Sequence, residues 1–509
     1  MRKSLALEKI GICAICLLSL ISCKKESSSL PETESFSMSM KKDVNVTFYA
    51  LEGGTMLDKL STQERLPLSS ATITGLQMGE TISAIDFRPA TGQLYGLSSA
   101  GRLYVINPET GAARMIGSSA IMLDGTMVGF DFNPTVDRIR VVTDKGQNLR
   151  LNPETGGLAV TDLPINGVAG AMVTGAAYTN NVAGAMTTTL YDIDVATQSL
   201  YKQLPPNDGK LELVGPLKLK ISGEGGFDIE AGSGIALGMY KVNNLPALIK
   251  IDLMTGAAVA LDRYERKNYT GIAIPTQPVA YAVDLMNNLL IFNPTNPTTQ
   301  VSKKIAPLEA GENILGIDFR PVNGQLYALT SLSRILTINA SSGAAAVVGT
   351  LSTSLSGTDF GFDFNPVVDR IRIVSNTGQN LRYNPNDPSM PVAVDGSLNP
   401  GTPAITAAAY SSNFAGTTAT MLFDIDASTD MLYLQTPPNM GTLVARGSLG
   451  VNVSETSGFD IGGTSGKAWA ILTVQGAPGL YEINTATGAA TLLSGFSSAV
   501  NGFTVGLGF

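Results

Sequence analysis

The sequence is one unit written twice. The run Phe130-Asp131-Phe132-Asn133-Pro134-Thr135-Val136-Asp137-Arg138-Ile139-Arg140 returns as Phe362-Asp363-Phe364-Asn365-Pro366-Val367-Val368-Asp369-Arg370-Ile371-Arg372. Gly146-Gln147-Asn148-Leu149-Arg150 returns as Gly378-Gln379-Asn380-Leu381-Arg382. The offset is 232 residues. It also relates Tyr49 to Tyr281, Asp86 to Asp318, Tyr201 to Tyr433, Asp228 to Asp460 and Gly256 to Gly488. Whatever architecture one half adopts, the other must be able to adopt as well.

Each half repeats again at a shorter period. Similar strand-like segments stand at 83–87, 128–132, 174–178, 225–229 and 269–274. From Asp86 through Asp131, Ala177 and Asp228 to Ala273, the steps are 45, 46, 51 and 45 residues. That is the period of a four-stranded propeller blade. One such unit reads as strands at 83–87, 93–97, 103–106 and 113–116. Arg88-Pro89-Ala90-Thr91-Gly92 and Asn107-Pro108-Glu109-Thr110-Gly111 form turns within it. Proline presets φ in such turns, and glycine takes the left-handed position that closes them. With 54 Gly, 26 Pro and only 15% charged residues, the chain suits short strands and tight turns better than helices.

The first half opens with three strands, at 47–51, 56–60 and 71–74, and ends with a spare one at 269–274. The second opens near 279–283 and ends with 504–509. A late strand that completes the first sheet would remove exposed sheet edges. The sequence therefore predicts an all-β chain of two tandem five-bladed β-propellers, at 45–275 and 276–509. The alternative is a single ten-bladed ring, since Ile274 runs into Val279 with ordinary within-blade spacing. Ten blades exceeds the usual range of about four to eight.

The N-terminus carries an address. Arg2 and Lys3 precede an apolar run at 10–21, too short to span a bilayer but ordered like a secretory signal. Leu20-Ile21-Ser22-Cys23 resembles the lipobox of bacterial lipoproteins. The resemblance implies a signal peptide at 1–22, lipid on Cys23 and a polar tether at 23–44. Cys13 and Cys16 would leave with the leader, so the mature chain would have no free thiol. The expected location is the bacterial cell envelope at the outer membrane, with the membrane as partner through Cys23. The net charge is −8. Arg2, Lys3 and Lys9 against Glu8 leave the body more acidic still. An acidic chain without a basic stripe excludes nucleic acid as a partner.

Two longer motifs recur. Asp-Phe-Arg-Pro-x-x-Gly-Gln-Leu-Tyr begins at Asp86 and Asp318, and Gly-Phe-Asp-Phe-Asn-Pro-x-Val-Asp-Arg-Ile-Arg begins at Gly129 and Gly361. With these motifs the chain resembles the bacterial family called domain of unknown function 4394, in two copies over about 45–509. The resemblance implies an exported protein built from a repeated domain, and supplies no catalytic residues.

Chemistry is constrained by an absence. The chain has no His, which excludes His triads, His metal ligands and His acid–base catalysis. Gly462-Gly463-Thr464-Ser465-Gly466-Lys467 has the wrong spacing for a phosphate loop. Two constellations remain. The first is the set of strand aspartates Asp86, Asp131, Asp228, Asp318, Asp363 and Asp460. They are expected to line a channel, either each bonded to the backbone of the turn that follows it, or as a Ca²⁺ site, or as a glycosidase-type acid/base pair. No other cofactor or metal is expected.

The second constellation is an arginine hairpin, Arg138, Arg140, Asn148 and Arg150, with its echo Arg370, Arg372, Asn380 and Arg382. Alternation puts Arg138 and Arg140 on one face. A three-residue loop, Asp144-Lys145-Gly146, would put Arg140 opposite Arg150, and like charges directly opposed need neutralising. Asp131 or Glu154 could do this, or an acidic ligand could. Leu190-Tyr191-Asp192-Ile193-Asp194 reads as a strand with outward acids, Pro205-Pro206-Asn207 as a rigid loop, and Trp469 as core. The leading expectation is a non-catalytic, lipid-anchored envelope protein that binds a glycan or a protein partner. The alternative is a carboxylate-dependent glycan-active enzyme.

Overall fold

The computed structural model describes residues 44–454 and 458–509. Cys23, the leader and most of the tether lie outside the described residues. The fold is all-β: ten four-stranded antiparallel sheets, with two 3-10 turns at Pro206–Asp208 and Pro438–Met440. Strands follow the turn chemistry of the sequence. In the second sheet they are Ile82–Phe87, Leu94–Ser98, Leu103–Ile106 and Ala113–Met115. Gly92 and Gly111 sit between them at φ of 71° and 74°, the left-handed conformation that these turns require.

Two sheets are completed out of sequence order. Tyr269–Ala273 pairs antiparallel with Thr47–Glu52, and Val500–Val505 pairs with Ala280–Asp284. Each late strand therefore joins the opening sheet of its own half. The second closing strand lies earlier than the expected 504–509. The last four residues leave the sheet instead, and Gly508 donates to the Thr91 carbonyl at 2.8 Å.

One edge strand of each sheet neighbours the edge strand of the next, in a cycle. Ile82–Phe87 lies beside Val128–Asn133, then come Val173–Tyr178, Ile221–Ile229 and Tyr269–Ala273, and the last returns to Ile82–Phe87. In the second half the cycle runs Ile314–Arg320, Phe360–Asn365, Ile405–Tyr410, Gly458–Ile461, Val500–Val505 and back. These strands approach too closely for side chains at some points. A Cβ on Gly226 would lie 2.5 Å from the Ile272 nitrogen, and one on Gly458 only 2.2 Å from Phe503 Cβ.

The apolar cores lie between neighbouring sheets. Tyr95, Leu97 and Leu103 of one sheet meet Phe130, Phe132, Ile139 and Val141 of the next. Tyr95 meets Phe132 edge-on at 5.1 Å, and Tyr327 meets Phe364 the same way at 5.1 Å in the second half. Such a pair adds about 0.5–1.5 kcal/mol beyond its buried area.

The halves are joined through the Arg88–Gly92 turn. Tyr281 donates to the Ala90 carbonyl at 2.9 Å, Arg88 donates to the Gly324 carbonyl at 3.0 Å, and the Phe509 ring covers Gly92.

Candidate functional site

The strand aspartates gather as the sequence suggested, in two trios. One ligand oxygen from each of Asp86, Asp131 and Asp228 lies within 4.8 Å of the others, and the same holds for Asp318, Asp363 and Asp460. All six are buried. They accept mainly from backbone. Asp86 takes the Phe87 and Phe132 amides at 2.7 and 2.8 Å, and Asp228 takes those of Ile229 and Ile274 at 2.6 Å each. Asp131 takes the Tyr178 amide at 3.1 Å. The second amide belongs to the next strand of the cycle rather than to the following turn. Each aspartate is thus a clasp between neighbouring sheets. In the second half the Thr504 hydroxyl lies 3.0 Å from Asp318 and 2.8 Å from Asp460.

Three buried carboxylates this close cannot all ionise. Burial, then the charge of Asp228, pushes Asp86 well above the usual carboxylate range, and burial brings Asp228 to about 7. Burial and the neighbouring carboxyls thus both favour the protonated form in the trio. Ca²⁺ asks for six to eight oxygens, whereas most of these are already engaged by amides, and Asp131 Oδ2 is the buried oxygen left without a partner. Among the same strands each half encloses a void of about 10 Å³, about the room of one water, lined by residues other than the aspartates. With their oxygens so engaged, the trios do not supply the coordination that Ca²⁺ asks for.

The arginine hairpin forms in the expected register. Arg140 stands opposite Arg150, and Arg372 opposite Arg382. The Thr143 amide donates to Gln147 at 3.0 Å, and Gly146 takes φ 85° in the loop. The neutralising acid differs from both residues considered. Asp131, though in register with Arg140, serves Tyr178, and Glu154 serves Arg88. Asp162 does the work. Its Oδ2 lies 2.7 Å from Arg140 and 2.8 Å from Arg150, whose second nitrogen takes Oδ1 at 2.8 Å. Asp395 repeats this with Arg372 at 2.7 Å and Arg382 at 2.6 and 2.9 Å. Burial alone would raise Asp162. The hydrogen bonds from Arg150 and Arg140 outweigh it and hold the carboxyl below its usual range. Asp395 is held low in the same way by Arg382 and Arg372.

The remaining donors of the inner arginine are also engaged. Arg140 reaches Asn148 at 2.7 Å, Asn207 at 2.8 Å and the Tyr178 hydroxyl at 3.3 Å. Arg372 reaches Asn380 at 2.6 Å, Asn439 at 2.8 Å and Tyr410 at 3.4 Å. Asn148 and Asn380 also donate to the Pro206 and Pro438 carbonyls at 3.1 and 3.0 Å. Arg140, Arg372, Asn148 and Asn380 are therefore fixed frame, and Pro205-Pro206-Asn207 is the rigid loop they fasten. The outer arginines differ. The Arg150 and Arg382 side chains are 29% and 35% exposed. Arg370 donates only to the Val368 and Asp369 carbonyls, at 3.1 and 2.8 Å. It forms no ion pair with a described residue.

Above these residues lies a cleft of about 260 Å³. Its lining combines Arg370, Arg372 and Arg382 with Val368, Tyr410, Pro437 and Pro438. No carboxylate lines it. Sequence reasoning missed Asp162 and Asp395 because they stand 233 residues apart, one off the main repeat. It missed Tyr178, Tyr410, Asn207 and Asn439 as site residues, although all four keep the 232 offset.

Two smaller expectations resolve differently. Asp192 and Asp194 are buried, as are Asp424 and Asp426, and so are not outward acids. Both oxygens of Asp192 and of Asp424 lack hydrogen-bond partners, and burial pushes each carboxyl up to about 8. Trp469 is core, packed with Phe292, Phe503 and Ile471.

No curated protein matches the sequence. The solved structures to which the chain is similar include two bacterial surface or extracellular proteins. One is the extracellular domain of the putative one-component system BT4673 from B. thetaiotaomicron, 14% identical, TM-score 0.25, matched over 88% of this chain and 66% of that one. The other is PorZ, described as an essential bacterial surface component of the type-IX secretion system of Porphyromonas gingivalis. It is 12% identical, TM-score 0.26, matched over 89% of this chain and 59% of that one. The chain thus spans less than two thirds of either. The family described as "Domain of unknown function (DUF4394)" matches residues 56–273 and again 288–504. The chain belongs to that family and carries two tandem copies of its domain.

Proposed function

We propose that this is a non-catalytic envelope protein, a tandem pair of five-bladed propellers tethered by lipid at Cys23, that binds an acidic glycan in the second half. Two separate cycles of edge strands, each closed by a late strand of its own half, favour two rings over one of ten. The leader and the Leu20–Cys23 resemblance favour the address.

One observation carries the binding reading. Arg370 lines a cleft of about 260 Å³ without an ion-pair partner among the described residues, beside Arg372 and Arg382, which share the single carboxylate of Asp395. Guanidinium forks suit carboxylate or sulfate groups. The prolines and the tyrosine in the same lining suit the C–H face of a sugar ring. The cleft offers no carboxylate for acid–base cleavage, which favours binding over turnover. The test is titration of the full chain with digalacturonate, an acidic disaccharide. Arg370→Ala removes no internal ion pair, so it should leave the thermal melt unchanged while weakening binding about tenfold or more. Equal binding by the variant, or release of shortened sugar, would reject the reading.

A further inference from the structure

The parts of the second-half cleft are all present in the first half. All nine residues lining the second-half cleft recur, identical in type, 232 positions earlier. The inner arginines make the same bonds in both halves. The difference lies just behind the lining. Position 154 is Glu, and its counterpart 386 is Asn.

Glu154 occupies the centre of a charge cluster. Its side chain is 7% exposed, pairs with Arg88, and lies 3.9 Å from Arg138. Arg88 is also held by Asp137, with Arg88 Nε at 2.9 Å. In the second half Arg320 keeps Asp369, at 2.8 Å from its Nε, but meets a neutral amide at Asn386. Asn386 turns its other end to Asp369 at 2.7 Å. The neighbouring Asp387 accepts from Ser389 at 2.6 Å and forms no ion pair with a described residue. Four guanidiniums thus face three carboxylates in the first half, Asp137, Glu154 and Asp162, and only two in the second, Asp369 and Asp395. Arg114 of the first half, bonded to the Val322 carbonyl, adds positive charge beside Arg320.

We infer that Glu154 is a built-in occupant of the first arginine site, so that each chain holds one open anion site, at Arg370, and one that its own carboxylate has closed. The inference rests on the binding reading above and deepens it: the external ligand supplies, as a carboxylate or equivalent monoanionic group, the charge that Glu154 supplies from within. The two halves then divide the work, one serving as frame and one as receptor.

Reciprocal exchange tests this. The intact chain is titrated by calorimetry with digalacturonate and, separately, with sodium sulfate as a generic anion. Wild type should bind one equivalent. Asn386→Glu should weaken binding about tenfold or more, and its fold is safeguarded because the first half already carries Glu there. Glu154→Asn should raise the stoichiometry to two. The double exchange should restore one site, now sensitive to Arg138→Ala and indifferent to Arg370→Ala. Two equivalents in wild type, or exchanges that leave the stoichiometry unchanged in folded protein, would overturn the inference while sparing the binding reading. Sulfate following this pattern without digalacturonate binding would sustain the gate and refute the acidic sugar. Binding of neither would refute both.

Discussion

Replacing Asp162 by Asn removes one charge and almost no volume. It leaves Arg140, whose side chain is 1% exposed, directly opposite Arg150 with no carboxylate between them. Breaking a buried ion pair by removing one partner costs about 3–5 kcal/mol, because the surviving charge stays buried. Arg150 is 29% exposed, so water screens its share and the lower part of that range applies. For a unit of this size each kcal/mol lowers Tm by about 2–4 °C, so a cost of about 3–4 kcal/mol puts the shift at about 6–16 °C. Differential scanning calorimetry reads it directly. Adding Arg150→Ala to Asp162→Asn removes the opposed charge and should recover part of the loss, and added sulfate should do the same. If Asp162→Asn melts within about 4 °C of wild type, a cost near 1 kcal/mol, then Asp162 is not what reconciles the two arginines, and the account of the hairpin fails.

Two further outcomes follow from the buried carboxyls and the leader. Asp192 and Asp424 titrate at about 8 in the fold, against about 3.8 in the free chain. A carboxyl raised in this way stabilises fully below its unfolded value, and that contribution is lost as pH rises through about 8. Between those limits each group lowers stability by up to about 1.4 kcal/mol per pH unit. Asp162 and Asp395 are held low, so they are already charged across pH 5–8 and add no slope there. Urea melts at pH 5 and pH 8 should therefore show a smaller gap for Asp192→Asn with Asp424→Asn than for wild type; an unchanged gap would contradict the burial argument. Cys23→Ala should move the protein from the membrane fraction to the soluble fraction and abolish palmitate labelling, and retention with label would remove the proposed anchor.

Much of the fold was legible because turns and period carry it. The Arg88–Gly92 and Asn107–Gly111 turns located the strands of the second sheet to within one or two residues. The spare segment at 269–274 announced its pairing with Thr47–Glu52. The second closing strand was misplaced because the 504–509 run looks strand-like, while its last four residues pack on the first half through Gly92, a long-range contact that no local pattern encodes. Arg140 opposite Arg150 was readable from a hairpin loop of known length. Asp162 was not, because a one-residue insertion before Asp395 breaks the repeat offset just where the two copies needed comparing. Asp192 looked outward by alternation alone. It is buried because both faces of that strand are covered by neighbouring sheets, so alternation there carries no information about solvent.

The central claim is that Arg370, beside two arginines that share the one carboxylate of Asp395, awaits an acidic group from outside the chain. A crystal structure of the full chain soaked with digalacturonate addresses it most directly. The account predicts a carboxylate within salt-bridge distance of Arg370 and Arg382, with the ring against Pro437 and Pro438, and nothing at Arg138. An empty second-half cleft at saturating ligand, or the sugar seated elsewhere on the molecule, would contradict it.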